Sequence, residues 1–181
     1  SDMLALTFDD GVNEGTDRVL RFLRRNNIKA TFFVLGQNVD AGTLRRMVKE
    51  GHVIGSHSWS HPSFTGLGDG DMRWQLQATE DAIYRACRRR PRFFRPPFGD
   101  ADGRVVEVVR DEGMVTVNWS VDSNDWHGDP YAAASNIRGG IAGWWRRRKS
   151  QRWAARLNRT STHTGKAALG RGGTGHIVLQ H

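Results

Sequence analysis

Up to residue 121, short apolar segments alternate with longer segments whose apolar residues recur at helical spacing. The short segments have the length of buried strands, and the longer ones have the pattern of amphipathic helices. The predicted strands cover residues 3–8, 30–35, 52–55, 115–121 and, near the end, 177–179, with Phe93 and Phe94 leading into a further polar segment. The predicted helices cover residues 16–27, 43–50, 71–90 and 104–112. Strands that alternate with helices predict an α/β fold with parallel strands.

Two of the predicted helices carry large aromatic residues at expected core positions. The first places Phe22 on one side together with Val19, Leu20 and Leu23. The third is expected to pack Trp74 into the core together with the following residues: Leu76, Ile83 and Tyr84.

Polar residues that can do chemistry follow the predicted strands. They are Asp9, His57, Arg95, Asp122 and His181. In barrels of parallel strands, active sites are built at the carboxyl end of the sheet. We therefore expect these side chains at one end of the molecule.

The segment HSWSH contains a possible pair of metal ligands, His57 and His61. Two histidines four residues apart on a helix or a tight turn can reach one ion, although most such pairs are incidental. A catalytic zinc usually takes three protein ligands, so an acidic third ligand would strengthen the prediction. Asp9 and Asp10 offer one carboxylate for the ion and a second to accept a proton from water. Alone, this pair also fits an ordinary acidic turn.

His181 is a candidate acid. Cleavage of an amide requires protonation of the leaving amine, and histidine titrates near neutral pH. A carboxylate beside it would keep it protonated, and Asp125 is a candidate for that partner. His181 could instead be a frayed terminal residue, and Asp125 could be an ordinary turn residue.

Arg95 and two apolar residues complete the candidate site. The prolines at 96–97 stiffen the loop after Arg95, which could pair with Asp9 and hold it ionised. Trp126 and Leu179 could line a small pocket for an acetyl methyl group, and core packing explains their spacing equally well.

Taken together, five ordered motifs resemble the polysaccharide deacetylase family with the NodB homology domain, also called carbohydrate esterase family 4. The motifs are TFDDG (7–11), HSWSH (57–61), RPPFGD (95–100), DSNDW (122–126) and IVLQH (177–181). Each is weak or moderate alone, but their order across nearly the whole chain is specific. The resemblance implies a distorted barrel of parallel strands wrapped by helices.

The resemblance also implies roles for individual residues. The implied metal ligands are Asp10, His57 and His61. The implied catalytic residues are Asp9 as the base, Arg95 orienting Asp9, His181 as the acid and Asp125 tuning His181. The implied substrate contacts are Pro97, Phe98 through its backbone N–H, Trp126 and Leu179. The implied cofactor is a divalent cation, with Zn²⁺ expected first and Co²⁺ or another divalent ion as alternatives.

The implied reaction is hydrolysis of N-acetyl groups in polymers of N-acetylglucosamine, with release of acetate. The segments HPSFTGL and RPPFGDADGRVVEVV look most similar to fungal chitin deacetylases, so chitin is the expected substrate. Peptidoglycan N-acetylglucosamine deacetylases share all five motifs and acetyl-xylan esterases share most of them, so both stay open as alternatives. So does a glycan-binding module that kept the fold without catalysis.

Length and charge limit the number of domains and the kinds of partner that we expect. The 181 residues suit one domain, 1–181, with an unusual Arg- and Gly-rich excursion at about 139–175. A net charge of +8 and the aromatic and basic run at 144–149 would suit a polyanion. No nucleic-acid motif is present, so we expect no nucleic-acid partner. The expected partner is an acetylated polysaccharide, and the expected state is a monomer.

Localisation is predicted from the substrate class alone. No apolar segment approaches the length of a membrane span, and no signal peptide is visible in this sequence. We expect a secreted or cell-wall-associated protein, because the implied substrates lie outside the cell.

Overall fold

The structure is a computed structural model that describes residues 3–129, 131–140, 142 and 175–180. The chain divides into two compact units. The main unit is Leu6–Asn118, and the second unit comprises Trp119–Gln180 with Ser1–Ala5. Most of the predicted excursion at 139–175, and His181, lie outside the described residues.

The main unit is built on parallel strands that pair in the order β5-β4-β3-β2-β1. The strands are β1 (Met3–Gly11), which belongs to this unit from Leu6 onward, β2 (Thr31–Val34), β3 (Val53–Ser56), β4 (Phe93–Phe94) and β5 (Val115–Thr116). Thr31 of β2 pairs with Thr7 on one side and with Val53 on the other. All carboxyl ends therefore meet at one edge, as predicted from the alternation of strands and helices.

Four helices connect these strands. They are α1 (Thr16–Arg25), α2 (Ala41–Lys49), α3 (Asp69–Cys87) and α4 (Gly103–Asp111). Three of them begin one or two residues earlier than predicted, and an aspartate caps two of these three: Asp40 accepts from the N–H of Thr43 (2.7 Å), and Asp102 from that of Val105 (2.8 Å). Helix α3 ends before residue 90 because Arg88 adopts φ 58°, which is left-handed. Within the described residues, no helix combines the length and apolarity needed to cross a bilayer.

Two buried clusters stabilise the main unit. Members of the first come from α1, α2, α3, β2 and β3, and include Leu20, Leu44, Phe32, Ile54 and Ile83. Members of the second come from α3, β4, α4 and the loop after β3, and include Met72, Leu76, Phe64, Phe94 and Val108.

The buried faces of α1 and α3 are narrower than the sequence pattern predicts. Phe22 and Trp74 were expected in the core, yet they are 60% and 55% exposed. Leu20, Leu23, Leu76 and Ile83 fill those cores without them. Helical periodicity marks the buried direction but not the width of the buried stripe, which explains both errors.

The described part of the second unit contains a parallel pair of strands and an α-helix. Strand β6 (Val121–Asp122) pairs with β7 (Gly175–Gln180), and Asp122 lies opposite Leu179. The single strand predicted at 115–121 is wrong, because β5 pairs with β4 whereas β6 pairs with β7. The apolar alternation is continuous there and carries no mark of the change in partner.

A helix at 131–140, called α5, was missed by the sequence analysis. The carboxylate of Asp129 caps it by accepting from the N–H groups of Tyr131 (2.9 Å) and Ala132 (3.0 Å). The signal was available in the sequence, since an Asp-Pro step followed by alanines at 132–134 is typical of a helix start.

The buried His52 gives a prediction about pH and stability. The N–H of Ala30 donates to His52 Nδ1 (3.2 Å), and Glu50 Oε2 lies 3.8 Å from Nε2. Burial lowers the pKa of His52, although the Glu50 carboxylate opposes the shift. The folded state therefore binds fewer protons than the unfolded chain, so this stabilisation is complete above about pH 6.5 and is lost as the pH falls through the folded pKa.

We expect the free energy of unfolding in urea to decrease between about pH 7 and pH 5. His52→Gln should make that dependence shallower, because an amide oxygen still accepts from Ala30 and does not titrate. Equal pH dependence in both proteins would contradict the role given to His52.

Candidate metal centre

Three potential ligands meet at the carboxyl ends of β1 and β3. Asp10 lies at the end of β1, His57 directly follows β3, and His61 lies in the loop beyond it. Their ligand atoms all lie within 4.8 Å of one another. Asp10 Oδ1 is 3.4 Å from His57 Nε2 and 3.5 Å from His61 Nε2. The HxxxH pair and one residue of the acidic pair thus converge as the sequence analysis expected.

These separations suit a small divalent cation. In a tetrahedral zinc site with bonds of about 2.0–2.1 Å, neighbouring ligand atoms lie about 3.3–3.4 Å apart. The two distances between Asp10 and the histidines are close to that value. Two imidazoles and one carboxylate are also a ligand set that leaves a coordination position open.

His57 is held in the form that can bind a metal. Its Nδ1 lies 2.7 Å from the carbonyl oxygen of Arg95. A carbonyl only accepts, so Nδ1 carries the proton and Nε2 presents its lone pair towards Asp10. Burial lowers the pKa of His57 to about 4, against smaller opposing effects of the Arg95 carbonyl and Asp10. The imidazole is therefore neutral at neutral pH, as ligation requires.

The loop that carries His61 is constrained by α3. Ser58 and His61 have φ values of 73° and 64°, which non-glycine residues rarely adopt. Ser58 Oγ accepts from the N–H of His61 (3.0 Å). Gln75 Oε1 accepts from the N–H groups of Trp59 (2.7 Å) and Ser60 (3.0 Å). These bonds stabilise a conformation that would otherwise be costly.

Gln75 was not predicted, although the sequence held a signal. It is buried between the apolar residues Met72 and Leu76 on the inner face of α3, which also buries Ile83. A buried polar residue on an apolar helix face needs hydrogen-bond partners. That requirement was a reason to expect a structural role for Gln75.

A buried ion pair lies beside the three ligands. Arg95 Nη1 is 2.8 Å from Asp9 Oδ1 and donates to Thr7 Oγ1 at the same distance. The Arg95 guanidinium also lies over the ring of Phe33, 4.1 Å from its centroid. Asp9 Oδ2 is 3.9 Å from His57 Nε2. The carboxylate of Asp9 thus lies between the arginine and the ligand cluster.

The loop after β4 brings Phe98 to the same place. Pro97 is buried, whereas Phe98 has φ 61° and is 69% exposed. The Phe98 ring meets that of His61 edge to face, with centroids 4.6 Å apart. An exposed aromatic ring beside a ligand cluster can contact a bound molecule.

The other predicted residues belong to the second unit or lie outside the described residues. Asp125 and Trp126 lie in a short 3-10 turn, where Ser123 Oγ donates to Asp125. Trp126 is exposed, and its ring stacks on His127. Leu179 is placed by strand pairing in β7, and His181 lies outside the described residues. The roles given to these residues stay predictions.

Comparisons with known proteins identify the family. The family model described as polysaccharide deacetylase matches residues 1–117. A peptidoglycan-N-acetylglucosamine deacetylase of Bacillus cereus is 37% identical over 143 residues, covering 77% of this chain and 51% of that protein. A chitin deacetylase of Amylomyces rouxii is 37% identical over 124 residues, covering 67% of this chain and 29% of that protein. The chain belongs to the polysaccharide deacetylase family.

A solved structure supports the fold. The family 4 carbohydrate esterase from Streptomyces lividans, in complex with acetate, is similar with a TM-score of 0.76 and 28% identity, covering 99% of this chain and 78% of that one. The predicted fold class, an α/β distorted barrel of the NodB type, is confirmed. The chain spans about half the length of the Bacillus cereus relative and about 29% of the Amylomyces rouxii one.

The buried ion pair gives a stability prediction. Arg95→Met should lower the free energy of unfolding of the metal-free protein by about 3–5 kcal/mol, because the buried Asp9 carboxylate loses its ion pair with the Arg95 guanidinium. The double variant Asp9→Leu with Arg95→Met should recover part of this loss. Urea unfolding in the presence of a chelator measures both. If the double variant were less stable than Arg95→Met alone, the pair would not explain the loss.

Proposed function

We propose that this chain is a metal-dependent deacetylase that hydrolyses the N-acetyl groups of N-acetylglucosamine polymers and releases acetate. The observation that carries the proposal is the meeting of Asp10, His57 and His61 with the buried carboxylate of Asp9 beside them. Family membership supports the same reaction class, because the named relatives are deacetylases of such polymers.

Asp10, His57 and His61 would hold the divalent cation, with Zn²⁺ expected first and Co²⁺ as an alternative. When bound, such a cation acts as a Lewis acid towards a carbonyl oxygen and lowers the pKa of water. His57 is suited to this role because its ring is neutral and its Nδ1–H is engaged by a backbone carbonyl.

Asp9 would act as the general base that takes a proton from the attacking water. Its Oδ2 lies on the side of His57, while its Oδ1 is occupied by Arg95. The arginine thereby orients the carboxylate and favours its charged form. A positioned base of this kind typically contributes about 10²–10⁴-fold to the rate.

The remaining steps would use the backbone N–H of Phe98, the pair of His181 and Asp125, and the predicted substrate contacts. The Phe98 N–H would stabilise the oxyanion as water adds to the acetamide carbonyl. His181, kept protonated by Asp125, would then protonate the departing amine. Trp126 and Leu179 would line the pocket for the acetyl methyl group, and Pro97 would contact the substrate.

Chitin and peptidoglycan are both candidate polymers. The peptidoglycan and chitin deacetylases reported above are equally similar to this chain at 37% identity, so identity does not separate them. Both polymers contain N-acetylglucosamine, which is the part that the proposed reaction requires. Such a substrate would place the protein at the cell wall or outside the cell, and we propose that the protein acts there as a monomer.

Substitutions at Asp9 and His57 test the division of roles. Asp9→Asn should retain zinc and lose about 10²–10⁴-fold in kcat, because only the proton acceptor is removed. His57→Ala should instead weaken zinc binding, because a ligand is lost. Zinc affinity by chelator competition, alongside acetate release, checks both. Loss of zinc from Asp9→Asn would contradict the roles assigned to the two aspartates.

A substrate panel tests the function itself. Acetate release should be measured with chitin oligomers, peptidoglycan and acetylated xylan, before and after removal of metal by a chelator. We expect release from at least one N-acetylglucosamine polymer, its loss with the chelator and its recovery with zinc. A protein that binds zinc and glycan but releases no acetate would instead be a non-catalytic binding module.

A further inference from the structure

Two loops of the candidate site are joined by a single carboxylate. We call residues 57–67 the His61 loop and Pro97–Gly99 the Phe98 turn. Asp100 directly follows that turn, and its backbone N–H donates to the carbonyl of Pro97 (3.1 Å). Its Oδ2 accepts from Ser63 Oγ and from Thr65 Oγ1, each at 2.5 Å. Both hydroxyls belong to the His61 loop.

The position of these bonds relative to the site matters. Ser63 lies two residues after His61, and Asp100 lies two residues after Phe98. The rings of His61 and Phe98 already touch, with centroids 4.6 Å apart. The Asp100 bonds therefore close a ring of contacts that includes one proposed metal ligand and the backbone proposed to face the oxyanion.

Two other contacts hold the His61 loop to neighbouring elements, but they do not link it to the Phe98 turn as Asp100 does. Phe64 is fully buried and packs against Phe94, with centroids 4.7 Å apart. Arg104 Nη2 donates to the carbonyl of Thr65 (3.0 Å), which ties the far part of the His61 loop to α4. Neither contact reaches the Phe98 turn. The two hydroxyl bonds also lower the pKa of Asp100, so the carboxylate is charged at neutral pH and accepts both.

We propose that Asp100 is a positioning residue that holds the His61 loop against the Phe98 turn, so that the metal ligand and the Phe98 N–H keep a constant separation. The proposal rests on the proposed function for the meaning of those two groups. It concerns alignment, because Asp100 is not itself a ligand or a proton carrier. Loops that carry site residues need such supporting bonds to keep their geometry.

Asp100→Ala tests the proposal in the full chain. We expect zinc affinity to fall about tenfold, as for other residues that support metal ligands from outside the ligand set. We expect kcat to fall with little change in KM, because the lost alignment matters most in the transition state. Amide hydrogen exchange in residues 61–67 of the metal-free protein should become faster. Asp100→Asn should restore much of each property, since its amide oxygen can still accept.

Asp102→Ala is the matched control. Asp102 caps α4 two residues further on, so its loss should lower the thermal midpoint. It should leave zinc affinity unchanged, and it should leave exchange unchanged in residues 61–63, which precede the part of the loop that Arg104 of α4 contacts. If Asp100→Ala behaved like this control in both measurements, the proposal would be overturned. If the wild-type protein bound zinc but released no acetate, the proposed function would fail while zinc affinity and exchange would still decide the role of Asp100.

Discussion

The site of this protein depends on Arg95, a residue that is fully buried. Its guanidinium pairs with Asp9, and its backbone carbonyl accepts from the Nδ1–H of His57. One residue therefore orients the proposed base Asp9 and also fixes the tautomer of the proposed ligand His57. A buried ion pair is costly to assemble and costlier to break, which makes it a poor source of net stability. The benefit of Arg95 is geometric, because its side chain contacts Asp9 in β1 and its backbone carbonyl contacts His57, which follows β3.

The neighbouring His61 loop is held in place by hydrogen bonds. Ser58 and His61 both adopt positive φ values, and Phe98 does so in the opposing turn. Residues keep such strained backbone conformations only where the surrounding structure holds them in place. Gln75 supplies this constraint from α3, and Asp100 links the loop to the turn. The strained backbone therefore coincides with the part of the main unit that is proposed to do chemistry.

Several elements could be predicted from local pattern because they depend on neighbouring residues. The alternation of apolar segments and amphipathic helices indicated parallel strands, and HSWSH with TFDDG indicated the candidate ligands. The strand at 115–121 could not be divided correctly, because β5 and β6 differ in their pairing partners and not in their apolar alternation. Phe22 and Trp74 were misplaced because the width of a buried stripe depends on what packs against it.

By itself, the sequence determined the class of fold, the family and the candidate ligands Asp10, His57 and His61, since residue type and order are enough for these. Only the tertiary structure decided that Arg95 acts through its carbonyl as well as its side chain, and that Gln75 and Asp100 support the His61 loop. The physical reason is that these are hydrogen bonds between segments distant in sequence, several of them to backbone atoms. Every residue has those atoms, so no residue pattern indicates which of them will meet.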